Sequence, residues 1–133
     1  PAKFVHNEEV DKHGLPRIGK SINSIVCDGC IVSGSTVTNS ILFNSVYVHS
    51  YATVHNSILL NDVDVGEHCR IRNAIIDKHN ILPRGTTIGY DRAEDAKRYF
   101  VVDLDDENWL TVIPKDRHYL NLELPKSLET HKL

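Results

Sequence analysis

The feature that most constrains this chain is a period. Between Ile22 and Gly89 its apolar residues recur every 17 positions, in three columns. Ile31, Val48, Val65 and Leu82 form one column, and Val37, Val54, Ile71 and Ile88 form a second. Leu42, Leu59 and Ile76 form the third, with Val26 above them one residue out of step. Within a repeat the members fall in threes spaced by 6, as in Leu42, Val48 and Val54. A further phrase recurs at one edge: Asn23-Ser24-Ile25, Asn39-Ser40-Ile41, Asn56-Ser57-Ile58 and Asn73-Ala74-Ile75.

A fixed internal period is weighed before any helix or strand is assigned. A spacing of six gathered in threes matches no helical face, which needs apolar residues three and four apart. It matches a coil with three short flat sides, each holding one inward aliphatic residue and turning a corner before the next. Stacked coils of this kind make an all-β prism, a parallel β-helix. The corners need residues that tolerate positive φ or a sharp bend, which Gly, Asn and Asp do at least cost. Such residues stand where corners are due: Asp28-Gly29, Gly34, Asn44, Asn56, Asn61-Asp62, Gly66, Asn73, Asn80, Gly85 and Gly89. The position four after each inward aliphatic also points at the narrow axis and should be small or β-branched. Ser35, Ala52, Cys69 and Thr86 satisfy this in one column, and Cys30, Val46 and Val63 in another, where Asn80 is the misfit.

The expected organisation is a linker over residues 1–21, four coils over 22–89 and a C-terminal segment over 90–133. The linker is polar and broken by Gly14, Pro16 and Gly19, with Ile18 a candidate to pack on the first coil. After Gly89 the rhythm stops. Asp91-Arg92-Ala93-Glu94 has the form of a capped helix start, Asp91 as N-cap and Glu94 reaching back. Acids then precede bases through Phe100, which suits the helix dipole. Phe100 to Leu104 and Trp109 to Ile113 read as two strands around a polar turn. His118 to Leu133 is a polar tail anchored by Leu120, Leu122 and Leu124.

Bulk properties exclude more than they assign. A net charge of -3 gives no reason to expect a nucleic-acid partner. No apolar run approaches the ~18 residues of a membrane span. Three cysteines, an odd number, suggest no disulfide framework and favour a reducing cytoplasm. The chain contains no methionine, even at its start, which is expected of a piece of a longer polypeptide.

Candidate chemistry is sparse. Cys27-Asp28-Gly29-Cys30 is a lone C-x-x-C, and a structural zinc site needs four ligands; Cys30 and Cys69 already have a role as small inward residues. His49, His55, His68 and His79 fall at different positions of the repeat, without a carboxylate that spacing would pair with them, and read as solvated histidines. Acyltransferases built on such prisms use a histidine as general base, so that reading stays as an alternative. Basic residues cluster late, at Arg70, Arg72, Lys78 and Arg84, then Lys97, Arg98, Lys115 and Arg117. They form either an ordinary solvated face or an anion site where the last coil meets the C-terminal segment. No glycine-rich phosphate loop, nucleophile elbow or carboxylate pair is visible.

Several runs resemble the C-terminal domain of bacterial glucose-1-phosphate adenylyltransferases (ADP-glucose pyrophosphorylases). They are Pro1-Ala2-Lys3-Phe4-Val5, Ser33-Gly34-Ser35, Ser40-Ile41-Leu42-Phe43, Leu59-Leu60, Val65-Gly66, Ala74-Ile75-Ile76-Asp77-Lys78, Ile88-Gly89 and Ala93-Glu94-Asp95-Ala96. The resemblance implies a single-stranded left-handed parallel β-helix; spacing alone does not define the hand. It implies a parent enzyme joining ATP and glucose 1-phosphate into ADP-glucose and pyrophosphate, on the way to glycogen. It places the catalytic residues, ATP and Mg2+ in a separate N-terminal domain whose G-x-G-T-R-L type loop is absent here. No catalytic residue, cofactor or metal ligand is therefore expected in this chain, and alone it is expected to be inactive. It implies a homo-oligomer, a tetramer at full length, and a phosphorylated metabolite as effector. Lys78 and Lys115 fall where the family holds effector-contacting basic side chains, often arginines; Arg84 and Arg117 are added from the same basic cluster. The alternatives are a stand-alone hexapeptide-repeat acyltransferase and a scaffold with no ligand.

Overall fold

The computed structural model describes residues 1–5, 7–10, 16–17 and 19–115. The chain winds as a three-sided solenoid of short parallel strands. The first side stacks Lys3–Val5, Ile31–Ser33, Tyr47–Val48, Asp64–Val65 and Ile81–Leu82. The second stacks Lys20–Ile22, Thr36–Thr38, Thr53–His55, Arg70–Arg72 and Thr87–Ile88. The third stacks Ile25–Val26, Ile41–Leu42, Ile58–Leu59 and Ala74–Ile76, then receives Trp109–Ile113 and Phe100–Asp103 from beyond the coils.

Alternation along each strand sends one residue to the axis and its neighbours outward. Val37, Val54, Ile71 and Ile88 are completely buried, as are Leu42, Leu59 and Ile76. The first column differs from the sequence reading at its top. Ile31 lies opposite Tyr47, and Val32 opposite Val48, so the inward residue is Val32 and the step between these coils is 16. The cause is the corner at Gly34, which is one residue shorter than its equivalents below and has φ of 61°. The same shortening leaves Val26 opposite Leu42, 16 residues away. One deleted corner residue thus explains both the misassigned Ile31 and the out-of-step Val26.

The segment expected as a linker supplies two strands of the stack. Lys3–Val5 pairs in parallel with Ile31–Ser33, and Lys20–Ile22 with Thr36–Thr38. Between them Asn7–Val10 and Pro16–Arg17 pair as an antiparallel hairpin. That excursion puts Lys3 28 residues from its partner Ile31, so the period cannot reveal the pairing. Ile18 lies outside the described residues.

Each corner is a column of residues in the left-handed region. Asn23, Asn39, Asn56 and Asn73 have φ of 49–51° and turn the second side into the third. Their side chains stack as well: Asn23 Nδ2 donates to Asn39 Oδ1 and Asn56 Nδ2 to Asn73 Oδ1, both at 2.7 Å. The serines that follow form a second ladder, in which the Oγ of Ser24, Ser40 and Ser57 accept from the amides of Ser40, Ser57 and Ala74. The repeated Asn-Ser phrase is therefore a corner device. The other two corners carry Gly29, Ser45, Asp62 and His79, and Gly34, Tyr51, His68 and Gly85. Bulky residues at positive φ are strained, but each amide finds a carbonyl on the coil before, as Tyr51 N does on Gly34 O at 2.8 Å. The Tyr51 and His68 rings stack with centroids 5.1 Å apart. The expected corner residues Asn44, Gly66 and Asn80 are not themselves at positive φ; Ser45 and His79, one residue from two of them, are.

The C-terminal segment holds the expected helix and strands. The helix is Arg92–Arg98, and Asp91 Oδ1 caps it by accepting from Glu94 N at 3.2 Å. Glu94 turns forward, to Lys97 Nζ at 3.1 Å and Arg98 at 3.5 Å, instead of reaching back. Phe100–Asp103 and Trp109–Ile113 form an antiparallel hairpin. Trp109–Ile113 lies parallel to Ala74–Ile76, so buried Ile113 extends the third column by one rung. Arg92 grips Asp103 with a two-pronged contact at 2.6 and 2.8 Å, tying helix to hairpin. The hydrogen bonds from Arg92 hold the Asp103 carboxyl below its usual range.

Two substitutions separate the column from the corner. Leu59→Ala should cost about 2–5 kcal/mol, as a buried leucine removed from a rigid core does. Asn56→Ala should cost about 1–2 kcal/mol for the left-handed backbone, and Asn56→Gly should recover most of that. Urea unfolding of the three variants measures both effects.

Candidate functional site

The basic residues that look like one cluster in the sequence are dispersed by the coils. Arg70 and Arg72 point outward from the second side. Arg84 lies on the corner between the first and second sides, where its guanidinium is 3.6 Å from Glu67. Lys97 and Arg98 are engaged with Glu94 on the helix. Arg117 lies outside the described residues, as do Leu120, Leu122 and Leu124.

Lys78 and Lys115 do come together. Ile76 is opposite Ile113, and Asp77 N donates to Ile113 O at 3.0 Å. Two residues past that pair, Lys78 and Lys115 leave adjacent rungs at the corner joining the third side to the first. Both are exposed, and among the described residues neither ammonium has an ion-pair partner. Below them on the same corner His79 Nδ1 stands 3.2 Å from Asp62 Oδ2.

Asn80 holds this junction. It occupies an inward position, yet it is a polar residue only 1% exposed. Its Nδ2 donates to Asp77 O at 2.9 Å and to Pro114 O at 2.7 Å, one carbonyl on each of the chains that carry the lysines. A buried amide satisfied in this way ties two segments together, where an aliphatic could only fill space. Its irregularity in the repeat was the signal in the sequence.

Asp95 docks the hairpin, and nothing in the sequence pattern pointed to it beyond its place in the family-like run Ala93-Glu94-Asp95-Ala96. It is 1% exposed. One oxygen, Oδ2, accepts from Gly89 N at 2.8 Å, Trp109 Nε1 at 2.9 Å and Thr111 Oγ1 at 2.8 Å. The end of the coils, the helix and the hairpin thus meet on one carboxylate. Gly89 has φ of 90°, and a Cβ there would collide with Arg72 O, so this position accepts only glycine.

The other sequence candidates resolve differently. His49 Nε2 lies 3.0 Å from Asp64 Oδ1, and its ring stacks on Tyr47 at 3.8 Å. Two histidines therefore have carboxylate neighbours after all, on the adjacent coil, where local spacing does not look for them. The Cys30 and Cys69 thiols are raised by burial and donate to Phe43 O and Pro83 O. Among the described residues no group of three or more His, Cys, Asp and Glu could hold a metal ion. The site is thus an exposed pair of cations on a rigid corner, able to hold an anion and without groups for bond-making chemistry.

Comparison with known proteins adds the following. A family model described as GlmU-like, C-terminal hexapeptide, matches residues 1–105. The chain is similar to the glucose-1-phosphate adenylyltransferase of Alteromonas mediterranea, 45% identical over 102 residues, which are 77% of this chain and 22% of that protein. It is 44% identical over 115 residues to the protein of that name from Deinococcus radiodurans, covering 86% of this chain and 26% of the relative. For the one from Shewanella sp. strain ANA-3 the figures are 44% over 116 residues, 87% and 26%. The chain therefore spans between 22% and 26% of the length of these curated relatives.

Asp95→Ala should leave buried donors without an acceptor and cost about 3 kcal/mol or more. The hairpin should loosen first. Faster amide exchange at Thr111 and Asp77, with a shifted emission of Trp109, would report it; unchanged exchange would show that the hairpin docks without this carboxylate.

Proposed function

The chain belongs to the family of GlmU-like C-terminal hexapeptide domains, and from that premise we propose that it is the C-terminal regulatory and oligomerisation domain of a glucose-1-phosphate adenylyltransferase. The observation that carries this is identity of 44–45% running continuously over 102–116 residues to proteins of that name. The parent reaction joins ATP and glucose 1-phosphate into ADP-glucose and pyrophosphate. ATP, Mg2+ and the sugar phosphate are assigned to an N-terminal catalytic domain of the same polypeptide, and the solenoid supplies rigidity and regulation.

The regulatory reading rests on the Lys78 and Lys115 corner. A phosphorylated metabolite there would bridge a coil residue and a hairpin residue. It would bind the docked hairpin better than the loosened one, which is the differential affinity that any ligand-driven shift requires. Lysines supply charge without the planar fork of arginine, so the contact discriminates by charge more than by shape. Arg84, engaged by Glu67 at another corner, is not part of it.

The oligomeric reading rests on the open end of the stack. Lys20–Ile22 and Ile25–Val26 are edge strands, and exposed edges invite pairing unless covered. Ile22 and Ile25 are 51% and 60% exposed there. Coverage by a catalytic body or a second subunit, within a homo-tetramer, accounts for both. A cytoplasmic setting suits the three free thiols; among the described residues no helix is long and apolar enough to cross a membrane.

A second reading, an acyltransferase with a histidine base, draws on the His49–Asp64 and His79–Asp62 pairs. It requires acyl-CoA binding, and saturable binding of acetyl-CoA by this chain would replace the first reading. On the first, the longer protein containing the chain makes ADP-glucose from ATP and glucose 1-phosphate, and the chain alone does not. Fructose 1,6-bisphosphate and 3-phosphoglycerate serve as effector probes. Lys78→Ala with Lys115→Ala should remove at least tenfold of the effector response while leaving basal activity within twofold. An unchanged response sinks the assignment of the corner.

A further inference from the structure

The second side of the prism carries a group that the corner lysines do not involve. Arg70 and Arg72 leave the same strand on either side of buried Ile71, so both guanidiniums emerge on one face. Both lie against the Tyr90 ring, with Cζ atoms 4.1 and 4.4 Å from its centroid. Arg72 Nε also donates to Gly89 O at 2.9 Å, which fixes the stem and leaves both terminal nitrogens for another acceptor. Two like charges are held side by side, and stacking on a ring quadrupole offsets only part of their repulsion.

No carboxylate relieves them. Arg84, Arg92 and Arg98 each have an acidic partner, whereas among the described residues Arg70 and Arg72 have none. No strand of the second side contains Asp or Glu. Asp91, beside Tyr90, directs its carboxylate to Glu94 N. The flanking outward positions carry donors instead: Thr53 and Thr87 are in register with Arg70 on the two neighbouring strands, and His55 with Arg72. The second side lies opposite the corner that bears Lys78 and Lys115, so the two groups cannot share one small ligand.

We propose that Arg70 and Arg72, held on Tyr90, form a second anion site that takes a phosphoryl group of a small molecule. Two guanidiniums with free terminal nitrogens match the several oxygens of a phosphate dianion, which a single carboxylate does not supply. Their positions are set before binding by the Tyr90 ring and the Gly89 carbonyl, which reduces the ordering cost. The site is independent of the corner reading and of the parent activity.

The test is an NMR titration of this chain, labelled with 15N in arginine, at constant ionic strength. Inorganic phosphate is the probe, with acetate and chloride as controls. The Nε–H signals of Arg70 and Arg72 should shift along a saturable curve, and Arg84 should not. Arg70→Gln, an exposed change expected to leave the melting temperature unaltered, should weaken phosphate binding at least tenfold. Tyr90→Ala should weaken it less, and Lys78→Ala with Lys115→Ala should leave it within twofold. Four results overturn the proposal: shifts no larger than those of Arg84, chloride reproducing them, the corner double variant abolishing them, or acetate binding as well as phosphate. The last would assign the face to a carboxylate from a partner protein.

Discussion

A strand of two or three residues cannot sustain itself, and every strand of this solenoid is that short. Each exists because the equivalent residue one coil away presents the matching amide and carbonyl. Everything else depends on that stacking register. The register in turn depends on corners that bring the chain round in the same number of residues each time. Where one corner is a residue short, at Gly34, every pair above it is offset by one, and the alternation still sends Val32 inward because the strand shifts with it. The coil tolerates a change in length at a corner; it does not tolerate one within a side, which would turn the aliphatic out.

The corners show how a stack satisfies residues that would be strained in isolation. Left-handed φ at Tyr51, His68 and His79 is costly for one residue. Repetition offsets it: each such amide is bonded to the coil before, and the Asn and Ser side chains repeat the arrangement in ladders of their own. The cost recurs at every turn, and so does the compensation.

The far end of the stack is governed by two buried polar residues. Asn80 replaces an aliphatic on the axis and joins Asp77 to Pro114. Asp95 gathers Gly89, Trp109 and Thr111 on one oxygen. Together they register a hairpin onto the last coil so that Lys115 arrives beside Lys78. The proposed regulation is thus a property of how the hairpin is seated, and the second-side arginines are a property of the coils themselves.

The prism, its second and third columns, its Asn-Ser corner, the capped helix and the strand Trp109–Ile113 were all legible in the sequence. The reason is that a repeat writes the same local demand several times over, and a short capped helix carries its own signals. Other features had no such trace. Lys3–Val5 reached the stack across a non-repeating excursion of 28 residues, His49 met Asp64 across coils, and the basic cluster was spread over different faces by the winding. Asp95 looked like an ordinary helix acid until three donors converged on it. Periodicity records only what every coil shares; a contact made once, between segments far apart in the chain, is settled by where the tertiary structure brings them.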